Sequence, residues 1–434
     1  MSKFFKDLVS VAFSKAGVIL FGLGKAVILS RWLGPEQTGI ITALNVFPML
    51  FMSIGSLGVR QSTTYLVGQK QYDETAIKTA LVHIWVISTL FSMLSCFLLM
   101  KNMSSAGHNT WLVLLAMAPI PFNLFNTYNS GIFLGQNNIR TFNRINWLPS
   151  FVILLLTGLL VVFLNMGITG GMMAAIGGPL VMSAILLFKN RFIKSFSFTI
   201  EWKVVKSLLS LGIVYAVSLL VINLNYRIDI FLMDRLSTAH ELGIYSRGAQ
   251  LMEYLWEIPM LLSTLVFSGS ATAANGRAYS EKVAPLLRIS ILVVGVLSLI
   301  LFMYSEQIIT LLFGEAFQRS AKVQQILLPG VLLLTVFKVL NMDLAGKGKP
   351  WIAIKAMIPA LVLNIVLNLL WIPTHGAAGS ALASTISYSV AAIIFLFLYA
   401  QAVDMEVKQI ITYKKEDYRL LTRLFTKKLN KLPT

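Results

Sequence analysis

Apolar runs long enough to cross a lipid bilayer recur from Leu8 to Ala400, and no other feature constrains the fold as strongly. A helix needs about 20 such residues to cross the hydrocarbon core. Segments bounded by charges, Pro/Gly groups and Asn clusters supply twelve, near 8–30, 39–66, 77–100, 111–134, 147–165, 170–188, 205–228, 242–268, 286–304, 323–345, 351–371 and 376–400. Their length predicts helices, because the strands of a membrane barrel read as alternating segments of about ten residues. A soluble protein with buried helices is excluded by composition. Only 12% of residues are charged and mean hydropathy is +0.76, which leaves too little polar surface to cover such a core. No connection is long enough for a soluble domain, so function is expected from the helices themselves.

The N-terminus, "MSKFFKDLVSVAFSKAGVILFGLGKAVILS", begins like a signal peptide, but Lys15 and Lys25 interrupt its apolar region and no small-residue cleavage site follows. A retained first helix is expected. Cys96, the single cysteine, lies in an apolar run, so no intramolecular disulfide or Cys-rich metal site is available. His83, His108, His240 and His375 are scattered, and only tertiary coincidence would assemble a metal cluster from them.

Basic residues set orientation through their bias toward cytoplasmic loops. Lys3, Lys6, Lys70, Lys78, Arg140, Arg144, Lys189, Arg191, Lys194, Lys203, Lys206, Arg277, Lys282, Arg288, Lys347, Lys349, Lys355 and eight residues from Lys408 onward put 25 of the 36 Lys and Arg on one side. The other side holds Arg31, Lys101, Arg235, Arg319 and Lys322. Both termini are therefore predicted to be cytoplasmic. The net charge of +18 repeats at every second loop instead of forming one footprint, which argues against a nucleic-acid partner. The tail "YKKEDYRLLTRLFTKKLNKL", with Leu420, Leu421, Leu424 and Phe425 near helical spacing, is expected to lie on the anionic inner leaflet; a partner-binding tail is the alternative.

The two halves echo each other. "TGIITALNVFPML" from Thr38 matches "LGIYSRGAQLMEY" from Leu242 and equates Gly39 with Gly243. "GQNNIR" from Gly135 matches "GKGKPW" from Gly346, and "GITGGMMAA" from Gly167 matches "GAAGSALAS" from Gly376. The order and near-constant offset predict a repeated six-helix unit. An even number of spans gives both copies the same orientation, the arrangement of parallel repeats in alternating-access transporters. The predicted division is 1–200 and 201–402 for the two bundles and 403–434 for the basic tail.

"SRWLGPEQTGI" from Ser30, "SIGSLGVRQSTTYLVG" from Ser53 and "THGAAGSALAS" before the last span resemble the polysaccharide transporter family. That family includes the Wzx O-antigen flippases and shares the MOP superfamily with MATE exporters and the lipid II flippase MurJ. The resemblance implies an all-α integral membrane protein of about twelve helices, with two six-helix bundles in a V around a central cavity. It also implies movement of a polyprenyl-diphosphate-linked oligosaccharide from the cytoplasmic to the external leaflet of a bacterial inner membrane, for cell-surface polysaccharide biosynthesis. Membrane lipids and other polysaccharide-assembly membrane proteins are the implied partners. No P-loop is present, so ATP hydrolysis by the chain itself is not expected.

Charges in hydrocarbon are costly and default to a bundle interior or a hydrated cavity. Cations suit a diphosphate headgroup, Arg through bidentate hydrogen bonds and Lys as a mobile point charge. The substrate-binding candidates are Arg60, Arg247, Lys25, Arg227 and Lys338, with Arg31 at the external mouth. Snorkelling of Lys15 and Lys25, an interfacial Arg60, or an Arg227–Asp229 pair at a helix end would account for the same residues. Glu253, Glu257, Asp229 and Asp343 either couple a proton or sodium ion to transport or neutralise nearby cations. Glu253 and Glu257, four apart on the eighth span, are the first coupling candidates, and His83 is a weaker proton-relay candidate. No cofactor is expected. Asn123, Asn126, Tyr128 and Asn129, then Asn223, Asn225 and Tyr226, then Asn364 and Asn368, can bind sugar hydroxyls or tie helices together. The rival functions are a MATE-type ion-coupled small-molecule exporter, a membrane glycosyltransferase or polymerase, and a purely structural protein.

Overall fold

The computed structural model describes residues 3–136, 138–192, 197, 199–273, 275–414 and 417, and these contain helices and turns but no strand. An apolar chain in lipid must satisfy every backbone N–H and C=O internally, and helices do so within one segment. The helices are α1 (Lys3–Gly55), α2 (Val59–Gly68), α3 (Glu74–Met103), α4 (Thr110–Met117), α5 (Pro119–Gly135), α6 (Ile139–Asn146), α7 (Leu148–Thr157), α8 (Gly167–Lys189), α9 (Trp202–Leu236), α10 (Ala239–Thr272), α11 (Gly276–Met303), α12 (Ser305–Phe313), α13 (Ser320–Gly346), α14 (Ile352–Val403) and α15 (Val407–Ile411). Asp73 caps α3 by accepting from the Thr75 amide at 2.9 Å, and hydrogen bonds from Thr75 hold its carboxyl below the usual carboxylate range.

Among the described residues, nine helical stretches are long and apolar enough to cross a membrane. Two of them, Val11–Gly68 and Ile352–Val403, are 58 and 52 residues long, and each carries two predicted spans. The predicted eighth span lies in α10. The predicted loops between spans one and two and between eleven and twelve are not loops. Helix continues to a single kinked residue, Gly34 (φ 72°) in α1 and Gly376 (φ 53°) in α14. A residue with a β-carbon is strained at such φ, whereas glycine is not. The predicted 147–165 span is α7 followed by a π-helical turn at Gly158–Phe163.

The chain divides into two compact units. The first comprises Met1–Gly248, Glu306–Val323 and Ile365–Ser380. One of its cores gathers Val59, Leu66, Ile77, Leu81, Tyr128, Ile132, Phe192 and Leu208 from α2, α3, α5, the turn just after α8, and α9. A β-carbon on Gly39 would overlap the Ala239 carbonyl, and one on Gly243 would overlap the Pro35 carbonyl. The two glycines equated by the echo let these backbones touch, as small residues do between membrane helices.

The second unit comprises Ala249–Ser305, Gln324–Asn364 and Ala381–Thr434. Phe337 and Phe395 pack edge-on with centroids 4.6 Å apart. Arg288, expected in a cytoplasmic loop, is instead 2% exposed within α11. It grips Asp417 with two bonds, Nε to Oδ2 at 2.7 Å and Nη2 to Oδ1 at 2.9 Å. Its Nη1 donates to the Gln409 and Ile410 carbonyls at the end of α15, at 3.1 and 3.0 Å. The start of the tail is thus fastened to the bundle by a buried guanidinium, while Leu420, Leu421, Leu424 and Phe425 lie outside the described residues.

The hydrogen bonds from Arg288 hold the Asp417 carboxyl below the usual carboxylate range. A carboxyl depressed in the folded state stabilises above its unfolded pKa, and that contribution is lost as pH falls through the folded value. A spin label at Thr412→Cys, in a Cys96→Ala background, should remain immobile from pH 8 to 5 and gain mobility only below about pH 4, the unfolded Asp value. Asp417→Asn should give the mobile spectrum at neutral pH.

Candidate functional site

The first unit brings two of the predicted substrate cations together. Arg247 on α10 is 8% exposed, and its Nε donates to Ser30 Oγ at 2.6 Å. Ser30 in turn donates to the Ala26 carbonyl at 2.7 Å, so one helical turn of α1 fixes the hydroxyl that fixes the guanidinium. The Phe313 ring lies 5.7 Å from Arg247 Cζ and supplies a cation–π wall. Lys25, one turn earlier on α1 and half-buried, is within electrostatic reach of Arg247. Like charges within reach of each other repel, and an anion between them relieves the repulsion. Ser30 and Phe313 also line a 740 Å³ cavity with Arg31, Trp32, Gly34, Thr310 and the Gly314–Ala316 turn.

Arg31 borders that cavity but is already engaged. Its Nη2 donates to the Leu311 carbonyl at 2.6 Å and its Nε to Leu312 at 3.2 Å. These are among the last carbonyls of α12, which have no partner within their own helix. Arg31 therefore caps a helix, a role that ten residues of sequence around it could not show.

The other predicted residues of this unit are dispersed. Arg60 is on the exposed surface of α2. Arg227 on α9 lines a 190 Å³ cavity whose other walls include Phe47, Leu50, Met103 and Phe231. Asp229 is buried and accepts hydrogen bonds from the Tyr245 hydroxyl and from the Ile230 amide. His83 Nδ1 lies 2.8 Å from the Thr79 carbonyl one turn back on its own helix.

The remaining candidates sit in the second unit. Lys338 Nζ stands 4.4 Å from the Trp256 ring centroid, so this cation faces an aromatic surface. Glu253 and Glu257 are half-buried on α10. Asp343 on α13 is completely buried and is the hub of a polar cluster. It accepts from Ser270 at 2.5 Å, Ser280 at 2.6 Å, Tyr399 at 2.7 Å and Lys347 at 2.8 Å. Lys347 also donates to Ser280. The sequence singled out Asp343 and expected Lys347 in a loop; Lys347 lies in the turn just after α13, and the four-residue spacing lets it reach back to Asp343.

The amides mostly join helices. Asn126 donates to the Pro179 carbonyl at 3.0 Å and accepts from Ser183, and Asn129 accepts from Asn190 at 2.9 Å, tying α5 to α8. Asn223 donates to Ser53 at 2.9 Å, and Asn368 accepts from Ser380 at 2.8 Å. A second ionic contact was not foreseen. Glu241, at the start of α10, accepts from Arg319 at 2.6 Å and from the Ala377 amide at 3.0 Å, just after the Gly376 kink. Among the described residues no group of three or more His, Cys, Asp and Glu is placed to hold a metal ion.

The arrangement has known counterparts. In fold the chain is similar to the lipid II flippase MurJ in an inward closed conformation, with TM-score 0.76 and 15% identity over 99% of this chain and 94% of that one. It is similar to an inward-facing multidrug resistance MATE transporter of the MOP superfamily, with TM-score 0.72 and 14% identity over 91% and 98%. A MOP superfamily transporter from Pyrococcus furiosus, described by the reverse polarity of its binding pocket, aligns with TM-score 0.67 and 16% identity over 94% and 97%. In sequence, 90 residues are 29% identical to the "Probable low-salt glycan biosynthesis flippase Agl15" of Haloferax volcanii, covering 21% of this chain and 19% of that protein. Another 29% match, over 116 residues, is to an uncharacterized membrane protein of Methanocaldococcus jannaschii and covers 26% and 22%. The matched segments span about a fifth of these archaeal relatives. The model of the family described as polysaccharide biosynthesis protein matches residues 28–322, more than half of the chain, from just before Ser30 to just past Arg319. The chain therefore belongs to the polysaccharide biosynthesis protein family, and its fold is the one seen in the MurJ and MATE structures.

Proposed function

We propose that the chain flips a polyprenyl-diphosphate-linked oligosaccharide from the cytoplasmic to the external leaflet. The observation that carries this reading is the buried Arg247, held by Ser30 Oγ, with Lys25 of the same helix as Ser30 within electrostatic reach of it. Such a pair suits a diphosphate headgroup, which carries the charge that two cations can share. The glycan head would occupy a hydrated path while the polyprenyl tail stays in lipid, so the chain avoids transferring polar groups through hydrocarbon. The bundles 1–200 and 201–402 would alternate access, driven by differential binding to the two states. Family membership supports a role in glycan assembly, and a relative named as a probable glycan biosynthesis flippase supports flipping as the activity.

Within this proposal Arg60, Arg227 and Lys338 are further contacts for the headgroup along the path. Asp343 compensates charge, consistent with the four donors aimed at it, and Glu253 and Glu257 are the groups available for proton or sodium coupling. The site would lie in a cytoplasmic membrane with both termini inside, and bacterial surface-polysaccharide assembly is the process in which it would act.

Reconstitution tests the reading. Proteoliposomes carrying defined lipid-diphosphate glycans, with and without proton and sodium gradients, should show protein-dependent movement of the lipid between leaflets. Movement of a soluble organic cation without movement of any such lipid would replace the flippase with an exporter.

A further inference from the structure

A pocket of 240 Å³ opens in the first unit where the ends of α3, α5 and α8 on the basic side of the chain converge. It is lined by Lys78, Lys189 and Arg191, by Gln136, Asn138 and Thr141, and by one carboxylate, Glu74. Both oxygens of Glu74 are occupied. Oε1 pairs with Lys78 Nζ at 2.7 Å, and Oε2 accepts from Gln136 Nε2 at 2.8 Å. Three cations against one carboxylate leave the lining with a net charge of +2, carried by the two exposed groups Lys189 and Arg191.

The backbone at this point favours the side chain over its own ease. Arg191 follows the end of α8 at φ 50°, the left-handed position where glycine is the usual residue. An arginine there accepts conformational cost and gains a guanidinium at the rim. Its neighbour Asn190 is buried and donates to Asn129 Oδ1 at 2.9 Å, which anchors the turn to α5. Cytoplasmic retention of basic loops accounts for the presence of charge on this side. It does not account for amides, a hydroxyl and three cations converging on one concave site.

We propose that this pocket binds a phosphate-bearing anion at the cytoplasmic face, at a site separate from the Lys25–Arg247 pair. Its volume equals that of about eight waters, enough for one phosphate group and a small substituent but not for an oligosaccharide. The donor set matches phosphate oxygens, with Arg191 supplying a fork, Lys189 a mobile ammonium, and Asn138 and Thr141 neutral donors. Either an anionic lipid headgroup reaching in from the inner leaflet or a free phosphate would supply that chemistry.

The test uses the full chain purified in detergent, with native mass spectrometry against phosphatidylglycerol, phosphatidylcholine and inorganic phosphate. Wild-type protein should retain one phosphatidylglycerol or one phosphate beyond the phosphatidylcholine background. Lys189→Gln with Arg191→Gln should weaken that binding at least tenfold, and Glu74→Gln should tighten it. Arg191→Gly serves as the control for folding, because it should raise thermal stability while still weakening binding. Retention of phosphatidylglycerol that inorganic phosphate does not displace assigns the site to a lipid headgroup. Retention of phosphate with the same dependence on Lys189 and Arg191 assigns it to a free phosphate. Wild-type retention no greater than the phosphatidylcholine background, or equal retention by wild type and the double variant, overturns the proposal.

Discussion

Replacing Asp343 with alanine should cost the second unit about 3–5 kcal/mol, the range measured when one member of a buried ion pair is removed. The carboxylate is completely buried and receives Ser270, Ser280, Tyr399 and Lys347, from α10, α11, α14 and the turn just after α13 respectively. Without it Lys347 keeps its charge in a site where its side chain is only 14% exposed, and the Tyr399 hydroxyl loses its acceptor, while Ser270 and Ser280 keep the Asp343 and Gly276 backbone carbonyls. Thermal denaturation of the full chain in detergent should show the loss directly. Asp343→Asn keeps an acceptor oxygen and should lose less. Joining Asp343→Leu to Lys347→Met removes both charges and should recover much of the stability, because a well-packed apolar replacement avoids desolvation of the pair. A single variant as stable as wild type would show that the cluster holds nothing together. A stable single variant whose transport no longer responds to a proton or sodium gradient would move Asp343 from charge compensation to coupling.

That cluster marks the boundary of what was legible in advance. The hydropathy pattern determined the membrane class and the helices, since they depend on residue type along one chain; the echo singled out Gly39 and Gly243 but not the close backbone approach they allow. The break between the first two spans was legible at Gly34–Pro35, though not that helix would continue up to it. Burial cost marked Arg247 and Asp343 as charges turned into the protein interior, and both are buried. It could not name their partners, because Ser30 lies 217 positions from Arg247 and Tyr399 lies 56 from Asp343. Arg288 escaped for the opposite reason. It sits among loop charges in the sequence, and only the fold of the tail brings Asp417 and the carbonyls at the end of α15 onto it. Arg31 was marked as a mouth residue by its position, yet its carbonyl partners on α12 come from a short helix that no apolar run announced.

Arg247→Ala should lower flipping of a diphosphate-linked glycan at least tenfold while leaving membrane insertion intact. Truncating one partner of a buried charged contact costs about 2–5 kcal/mol, and each 1.4 kcal/mol is a factor of ten, so tenfold is a floor. Arg247→Lys separates charge from geometry. It keeps the cation but loses the Nε bond to Ser30 and the planar fork, and should restore only part of the rate. Ser30→Ala tests the same link from the other side. It leaves the guanidinium without the hydroxyl held by Ala26, so it should weaken substrate affinity while the maximal rate falls less. Lys25→Ala, combined with Arg247→Ala, should show less than the sum of the two effects if both cations hold one diphosphate, because the second loss then removes part of a contact already broken. Additive effects would place the two residues at separate steps, and wild-type flipping by the double variant would remove the pair from the pathway altogether. The measurement is leaflet-resolved accessibility of a labelled lipid-diphosphate glycan in proteoliposomes, normalised to inserted protein.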